Sequence, residues 1–314
     1  MKITILDDYQ GVALTMADWS VLGADVVSLR QHLEGPALIE ALAESDVVVA
    51  MRERTRFPAD VLRQLPRLRL LVTTGARNAA IDLDACRERG IVVSGTGSQP
   101  YAAAEQTWAL ILAAVKQLPQ SQDDLRADRW QTVVPGDLAG RTLGVLGLGK
   151  LGARVARVAL AFDMKVLAWS QNLTPAKAAE HGATWVEKQA LFEQSDIVSV
   201  HLVLSDRSRG VVGASEIAAM RPDAIFVNTS RAGLVDEPAL LDALHAGRIA
   251  GAALDVFSQE PLPADAAILS APRTVLTPHL GYVTDGTYRI YFRDAIENIQ
   301  SWQSGSVLRQ LGSY

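Results

Sequence analysis

Short apolar runs alternate with longer amphipathic stretches along almost the whole chain. In the first hundred residues the runs fall at 3–6, 26–29, 46–50, 68–72 and 91–93, and they are rich in Val, Ile and Leu. A strand with one wetted face would alternate apolar and polar residues. Near-continuous apolar strands are covered on both faces, which is how a parallel sheet lies between layers of helix. The stretches between them at 36–44, 58–65 and 82–89 read as helices, the last closed by Gly90.

A long apolar-rich helix is predicted from 101 to about 118, followed by a polar stretch at 120–137. A second series of runs then begins at 143–146, 165–169, 197–202, 224–228, 250–256 and 275–277. A last helical pattern near 284–303 has no strand after it. The fold class this predicts is α/β, with two doubly wound parallel-sheet domains. A length of 314 residues also exceeds what one core usually serves.

Composition narrows the function classes. Hydrophobic residues make up 49% and charged residues 21%, and the net charge of -5 is spread without a long basic run. Nucleic-acid and membrane surfaces need clustered Lys and Arg, so neither partner is expected. Cys86 is the only cysteine, which excludes an intrachain disulfide and a cysteine metal cluster. The opening Met1–Asp8 breaks its apolar run with two acids, so it reads as a strand of a cytoplasmic protein and not as a signal peptide or membrane span.

The segment Gly147-Leu148-Gly149-Lys150-Leu151-Gly152 follows a predicted strand and opens a predicted helix at 153–161. A dinucleotide site needs this spacing. The first glycine makes the tight turn, the second admits a pyrophosphate to the backbone, and the third lets helix pack on strand. The phosphates then face the positive end of the helix dipole. Such a site expects an acid after the next strand to hold the ribose hydroxyls. Here that strand ends in Ser170-Gln171-Asn172, with no carboxylate. Ser170 would not repel a 2′-phosphate and Gln171 would not attract one, so NAD and NADP both stay open.

Three further segments place polar residues just after predicted strands, where ligands bind in open α/β sheets. They carry Arg231, Glu260 and His279. An arginine fork can hold a carboxylate through two parallel hydrogen bonds and polarise an adjacent carbonyl. A histidine can give a proton to an oxygen as hydride arrives, and a carboxylate beside it fixes the tautomer and favours the charged ring. Taken singly, each residue also fits a bland role as a solvated or ion-paired side chain. Of the other histidines, His32, His181 and His245 read as surface groups, and His201 ends a strand beside the expected cofactor.

The segments at 228–237 (NTSRAGLVDE), 252–261 (AALDVFSQEP) and 277–281 (TPHLG), in this order behind the glycine turn, resemble the D-isomer-specific 2-hydroxyacid dehydrogenase family. That family includes phosphoglycerate dehydrogenases and glyoxylate/hydroxypyruvate reductases, and the likeness runs from Gly75 to Tyr282. The resemblance implies a reductase of small 2-keto acids to D-2-hydroxy acids. In it Arg231 binds the substrate carboxylate, His279 donates the proton and Glu260 partners the histidine. It implies that Asp255 holds the nicotinamide carboxamide, that Thr107 and Thr229 line the cofactor, and that the turn with Ala76 and Arg77 binds substrate. It also implies a flavodoxin-like substrate domain of residues 1–99 and 284–314, a Rossmann cofactor domain of 100–283, and a homodimer built around 101–137.

Two positions depart from the family pattern. Ser170 stands where NAD-preferring members carry Asp, and Arg77 stands where the substrate turn has glycine. A second guanidinium there would favour substrates with another anionic or polar group. The alternative function is a dinucleotide-sensing protein like the corepressors built on this scaffold. A formate-oxidising relative is disfavoured, because that group has Gln at the place of Glu260.

Overall fold

A computed structural model of the chain describes residues 1–312. The chain divides into two compact units. Unit 1 joins Met1–Gln99 to the chain from Val283 onward, and unit 2 is the continuous segment Pro100–Tyr282.

Unit 1 is built on a five-stranded sheet of β1 (Lys2–Ile5), β2 (Asp25–Ser28), β3 (Val47–Ala50), β4 (Leu70–Thr73) and β5 (Val92–Ser94), in the order β2-β1-β3-β4-β5. Every pairing is parallel. All four residues of β3 and of β4 are buried, as continuous apolar runs require. Helices Gly35–Leu42, Ala59–Arg63 and Leu83–Glu88 cover one face through Leu38, Leu42, Leu62, Ala85 and Cys86. Burying each large aliphatic side chain contributes about 1.5–3 kcal/mol.

The strand order reverses between β1 and β3, which opens a crevice at their carboxyl ends. Asp7 sits there, 1% exposed and in the left-handed region at φ 55°. A buried carboxylate needs donors, and it recruits the Thr55 hydroxyl at 2.7 Å and the His32 ring at 3.0 Å. His32 is therefore not the surface group expected from sequence, and only 20% of its side chain is exposed. In the turn after β4, Gly75 adopts φ 89° and gives its N–H to Thr96, while Asn78 donates to Thr73 and to the Arg52 carbonyl. Ala76 and Arg77 project from this turn and are exposed.

The final helix, Asp285–Gln303, belongs to unit 1. Thr284 caps it by accepting from the Thr287 N–H, and Tyr288, Tyr291, Phe292 and Ile299 are buried. Phe292 meets Trp19 edge-on at 6.1 Å between ring centres. Asp294 accepts from the Gly97 N–H and Asn298 donates to the Gly95 carbonyl, stitching the helix to the chain after β5.

Unit 2 holds a seven-stranded parallel sheet of β6 (Thr142–Leu146), β7 (Lys165–Trp169), β8 (Thr184–Trp185), β9 (Ile197–Val200), β10 (Ile225–Asn228), β11 (Gly251–Leu254) and β12 (Thr274–Leu276). Their order is β12-β11-β10-β9-β6-β7-β8. One face packs on the helices Ala102–Val115 and Lys150–Ala161, and the other on helices that include Glu237–His245. Three features depart from the sequence reading. The polar stretch contains a helix at Leu118–Arg126, organised around the buried Asp124, which accepts from Gln120, Arg129 and Thr132. β8 is a two-residue edge strand too short to leave a pattern. The glycine-turn helix starts at Lys150, because Gly152 lies within its first turn.

Candidate active site

The glycine turn leaves β6 with a geometry that only glycine allows at two of its three positions. Gly147 has φ 106°, and a Cβ there would lie 2.8 Å from the backbone carbonyl of His201. A Cβ on Gly152 would lie 2.0 Å from the Gly147 carbonyl oxygen, so strand and helix could not approach. Gly149 differs, since nothing stands within 4 Å of its missing Cβ. That open position, exposed at the head of a 12-residue helix with Lys150 and next to Leu151, fits a pyrophosphate. The Gly147 N–H donates to the Trp169 carbonyl, which sets the half-buried Ser170 beside the turn.

Thr107 and Thr229, distant in sequence, meet hydroxyl to hydroxyl at 2.7 Å. Thr107 is fully buried and donates its hydroxyl to the Ala103 carbonyl at 2.7 Å, so it anchors Thr229 to the long helix. His201 follows β9, with its Nε2 at 2.8 Å from the Ser199 hydroxyl. Burial pushes its pKa down to about 4, so this ring is neutral where most enzymes work.

The loop after β10 winds on Asn228, whose side chain accepts from the Ser230 N–H and donates to the Arg231 carbonyl. The Ser230 hydroxyl ties the loop to β9 through the Val200 carbonyl at 2.7 Å. Arg231 enters this loop half-buried, with Nη1 donating to the Ser230 carbonyl. Glu260 accepts from the Phe257 N–H at 2.9 Å through Oε1, and its Oε2 lies 2.6 Å from Nδ1 of His279. Burial alone would raise the Glu260 carboxyl, but the hydrogen bond and charge of His279, the Phe257 N–H and the Arg231 guanidinium together hold it below the usual range. With Nδ1 engaged by a carboxylate, Nε2 is the nitrogen left to face a reactant.

Asp255 is fully buried at the end of β11, and both its oxygens serve the loop that carries His279. Oδ1 accepts from the Thr277 hydroxyl at 2.5 Å and the Leu280 N–H at 2.8 Å, and Oδ2 accepts from the Gly281 N–H at 2.8 Å. His279 itself takes φ 55°, an unusual conformation for a side chain with a Cβ. Sequence reasoning missed Thr277, Asn228 and Tyr282. The first two are signalled only by their place at strand ends. Tyr282 follows His279 by three residues, and its ring stands 5.3 Å from the imidazole at an interplanar angle of 73°.

A parallel sheet with a glycine turn and with Arg, Glu and His at neighbouring strand ends is the arrangement of a nicotinamide-dependent dehydrogenase by class. The chain belongs to the D-isomer specific 2-hydroxyacid dehydrogenases, residues 108–281 matching the NAD binding domain of that family. It is 36% identical over 280 residues to a glyoxylate reductase of Aeropyrum pernix, covering 86% of this chain and 83% of that one. It is also 36% identical over 266 residues to a D-3-phosphoglycerate dehydrogenase of Mycobacterium tuberculosis, covering 83% of this chain and 50% of the relative. The chain thus spans about half the length of that dehydrogenase. A crystal structure of a phosphoglycerate oxidoreductase from Vibrio cholerae superposes with a TM-score of 0.93 at 39% identity, over 98% of this chain and 100% of that one. These relatives are named as reductases and dehydrogenases, which does not favour the sensing-protein alternative. Among the described residues no helix is long and apolar enough to cross a membrane.

The depressed His201 pKa has a measurable consequence. Unfolding frees the ring to take up a proton below about pH 6.5, whereas the folded ring resists until about pH 4. Stability from this group is therefore present above pH 6.5 and lost as pH falls towards 4. Thermal unfolding of native protein and His201→Gln across this interval should show a smaller loss in the variant. Equal losses would mean that the ring titrates freely.

Proposed function

We propose that the protein reduces a small 2-keto acid to the D-2-hydroxy acid, and catalyses the reverse, with a nicotinamide dinucleotide bound at Gly147, Gly149, Lys150, Leu151 and Gly152. The observation that carries this reading is the 2.6 Å pairing of His279 with Glu260, in the same unit as the glycine turn and with Arg231 close enough to act on the Glu260 carboxyl. When bound, the nicotinamide supplies or accepts the hydride. Arg231 holds the substrate carboxylate through its fork. His279, aligned through Nδ1 by Glu260, gives its Nε2 proton to the keto oxygen and recovers one in the reverse direction. Glu260 stays ionised and stabilises the charged imidazole. Thr229, anchored by Thr107, lines the cofactor position. In this reading Asp255 both holds the His279 turn and borders the carboxamide. The exposed Leu118, Leu125, Trp130 and Val134 support a homodimer through the segment that carries them.

The first test is turnover of keto acids, with glyoxylate and hydroxypyruvate as probes, read at the nicotinamide absorbance band. His279→Ala should lower kcat by about 10²–10⁴-fold with cofactor affinity little changed. Arg231→Ala should harm both KM and kcat, since it holds substrate and transition state alike. Reduction consumes the imidazolium proton and oxidation needs the neutral ring. Reduction should therefore fall and oxidation rise with pH over one and the same interval. Parallel profiles in the two directions would refute the proton relay.

Ser170 leaves the ribose end without a carboxylate, so NADPH should be accepted beside NADH. Ser170→Asp should shift the kcat/KM ratio towards NADH by roughly 10-fold or more, since a carboxylate there binds ribose hydroxyls and repels a phosphate. A native enzyme that rejects NADPH completely would move the choice to another loop.

In this reading the turn of Ala76 and Arg77 binds substrate, and its exposed Arg77 guanidinium favours a ligand with a further anionic group. Dianionic keto acids should outperform monoanionic ones, and Arg77→Gly should narrow that ratio. An unchanged ratio of kcat/KM values would remove Arg77 from selectivity.

A further inference from the structure

We propose that Tyr282 is a positioning residue for the reaction, whose ring fixes the plane of the His279 imidazole. The proposal rests on the reading of His279 as proton donor. Glu260 holds Nδ1 at a single point, 2.6 Å away. One hydrogen bond to a carboxylate oxygen is a soft restraint, which the ring breaks when it rotates about its Cβ–ring bond. Proton transfer needs Nε2 directed at the reacting oxygen, so this remaining freedom must be removed.

The backbone removes part of it. Asp255 takes the Leu280 and Gly281 N–H groups, which holds the turn closed and His279 at φ 55°. That fixes Cβ and the direction in which the side chain leaves the chain. It does not fix rotation about the Cβ–ring bond, which for histidine is a broad, soft torsion. The Tyr282 ring supplies the missing constraint. It leaves the same turn one residue after Gly281, and its plane stands at 73° to the imidazole with the centres 5.3 Å apart. This is edge-to-face packing, in which rotation of either ring out of its plane breaks the contact. Tyr282 is half-buried and Gly281 is buried, so the aromatic plane is carried by a held backbone. Three constraints from three places, the Glu260 oxygen, the Asp255-clamped turn and the Tyr282 face, leave the imidazole one orientation.

The test compares Tyr282→Leu and Tyr282→Phe, each in the native and His279→Ala backgrounds, with glyoxylate as the substrate probe. Tyr282→Leu should lower kcat by about 10-fold, since a misdirected group costs up to ~10²-fold. KM for glyoxylate and Kd for NADH and NADPH should stay within about twofold, and Tyr282→Phe should restore most of kcat. In the His279→Ala background the Leu change should add nothing, because its effect passes through the imidazole. Tyr282→Met, which fills the volume without a rigid plane, should match Leu and serves if the Leu protein does not fold. In ¹⁵N-histidine spectra His279 should show one ordered Nδ1-protonated ring in the native and Phe proteins and broadened signals in Leu or Met. An unchanged kcat in Leu and Met, an equal loss in both backgrounds, or a loss confined to cofactor Kd would overturn the proposal. Near-native turnover by His279→Ala would instead sink the proton-donor reading itself, so the two failures are distinguishable.

Discussion

The Asp255 carboxylate is shut away from solvent at the end of β11, and a charge in that position is costly unless every lone pair is used. Burial raises its pKa, and the Thr277 hydroxyl, the Leu280 and Gly281 N–H groups and the charge of His279 act the other way. The hydrogen bonds that satisfy the acid are those that fold the 277–281 segment into its turn. The electrostatic demand of one buried group therefore becomes the shape of the loop that presents His279, and the neighbouring strand β10 supplies the Arg231 loop by a similar device centred on Asn228. Cutting the Asp255 bonds would free the left-handed residue to relax, and the pairing with Glu260 would lose its geometry.

The sheets themselves ask for little of this kind. Their strands are short and apolar on both faces, so hydrophobic burial sets them and leaves polar residues for the loops at their carboxyl ends. In the glycine turn the same economy operates with space in place of charge. Gly147 and Gly152 are demanded by backbone contacts, while Gly149 has open space where its Cβ would stand.

Much of this was legible in the sequence because it depends on local pattern. Apolar runs located eleven of the twelve strands among the described residues, and the glycine spacing located the turn. β8 escaped because two residues carry no period, and the helix at Leu118–Arg126 escaped because its buried face is held by the polar Asp124 and not by an apolar stripe. The tie of His32 to Asp7 spans 25 residues, and the contact of Thr107 with Thr229 spans 122. Neither leaves a trace in the neighbourhood of the residue concerned. The candidate site was readable as a set of residue types, since Arg, Glu and His each follow a strand. The constraints that orient them were not, because Asp255 and Tyr282 act through a turn whose conformation emerges only when the strands are in place.

The chain's path through its two units has a consequence for how the molecule is made. Unit 2 is continuous, so its sheet has every strand once Tyr282 has been synthesised. Unit 1 has all five strands by Ser94 yet lacks the helix Asp285–Gln303, whose Phe292 packs on Trp19 and whose Asn298 reaches the Gly95 carbonyl. During vectorial synthesis the strands of unit 1 therefore emerge before those of unit 2, but unit 1 is completed after it. Until then the apolar surface around Trp19 is uncovered, and exposed apolar surface of this kind is what makes a partly folded chain prone to aggregate.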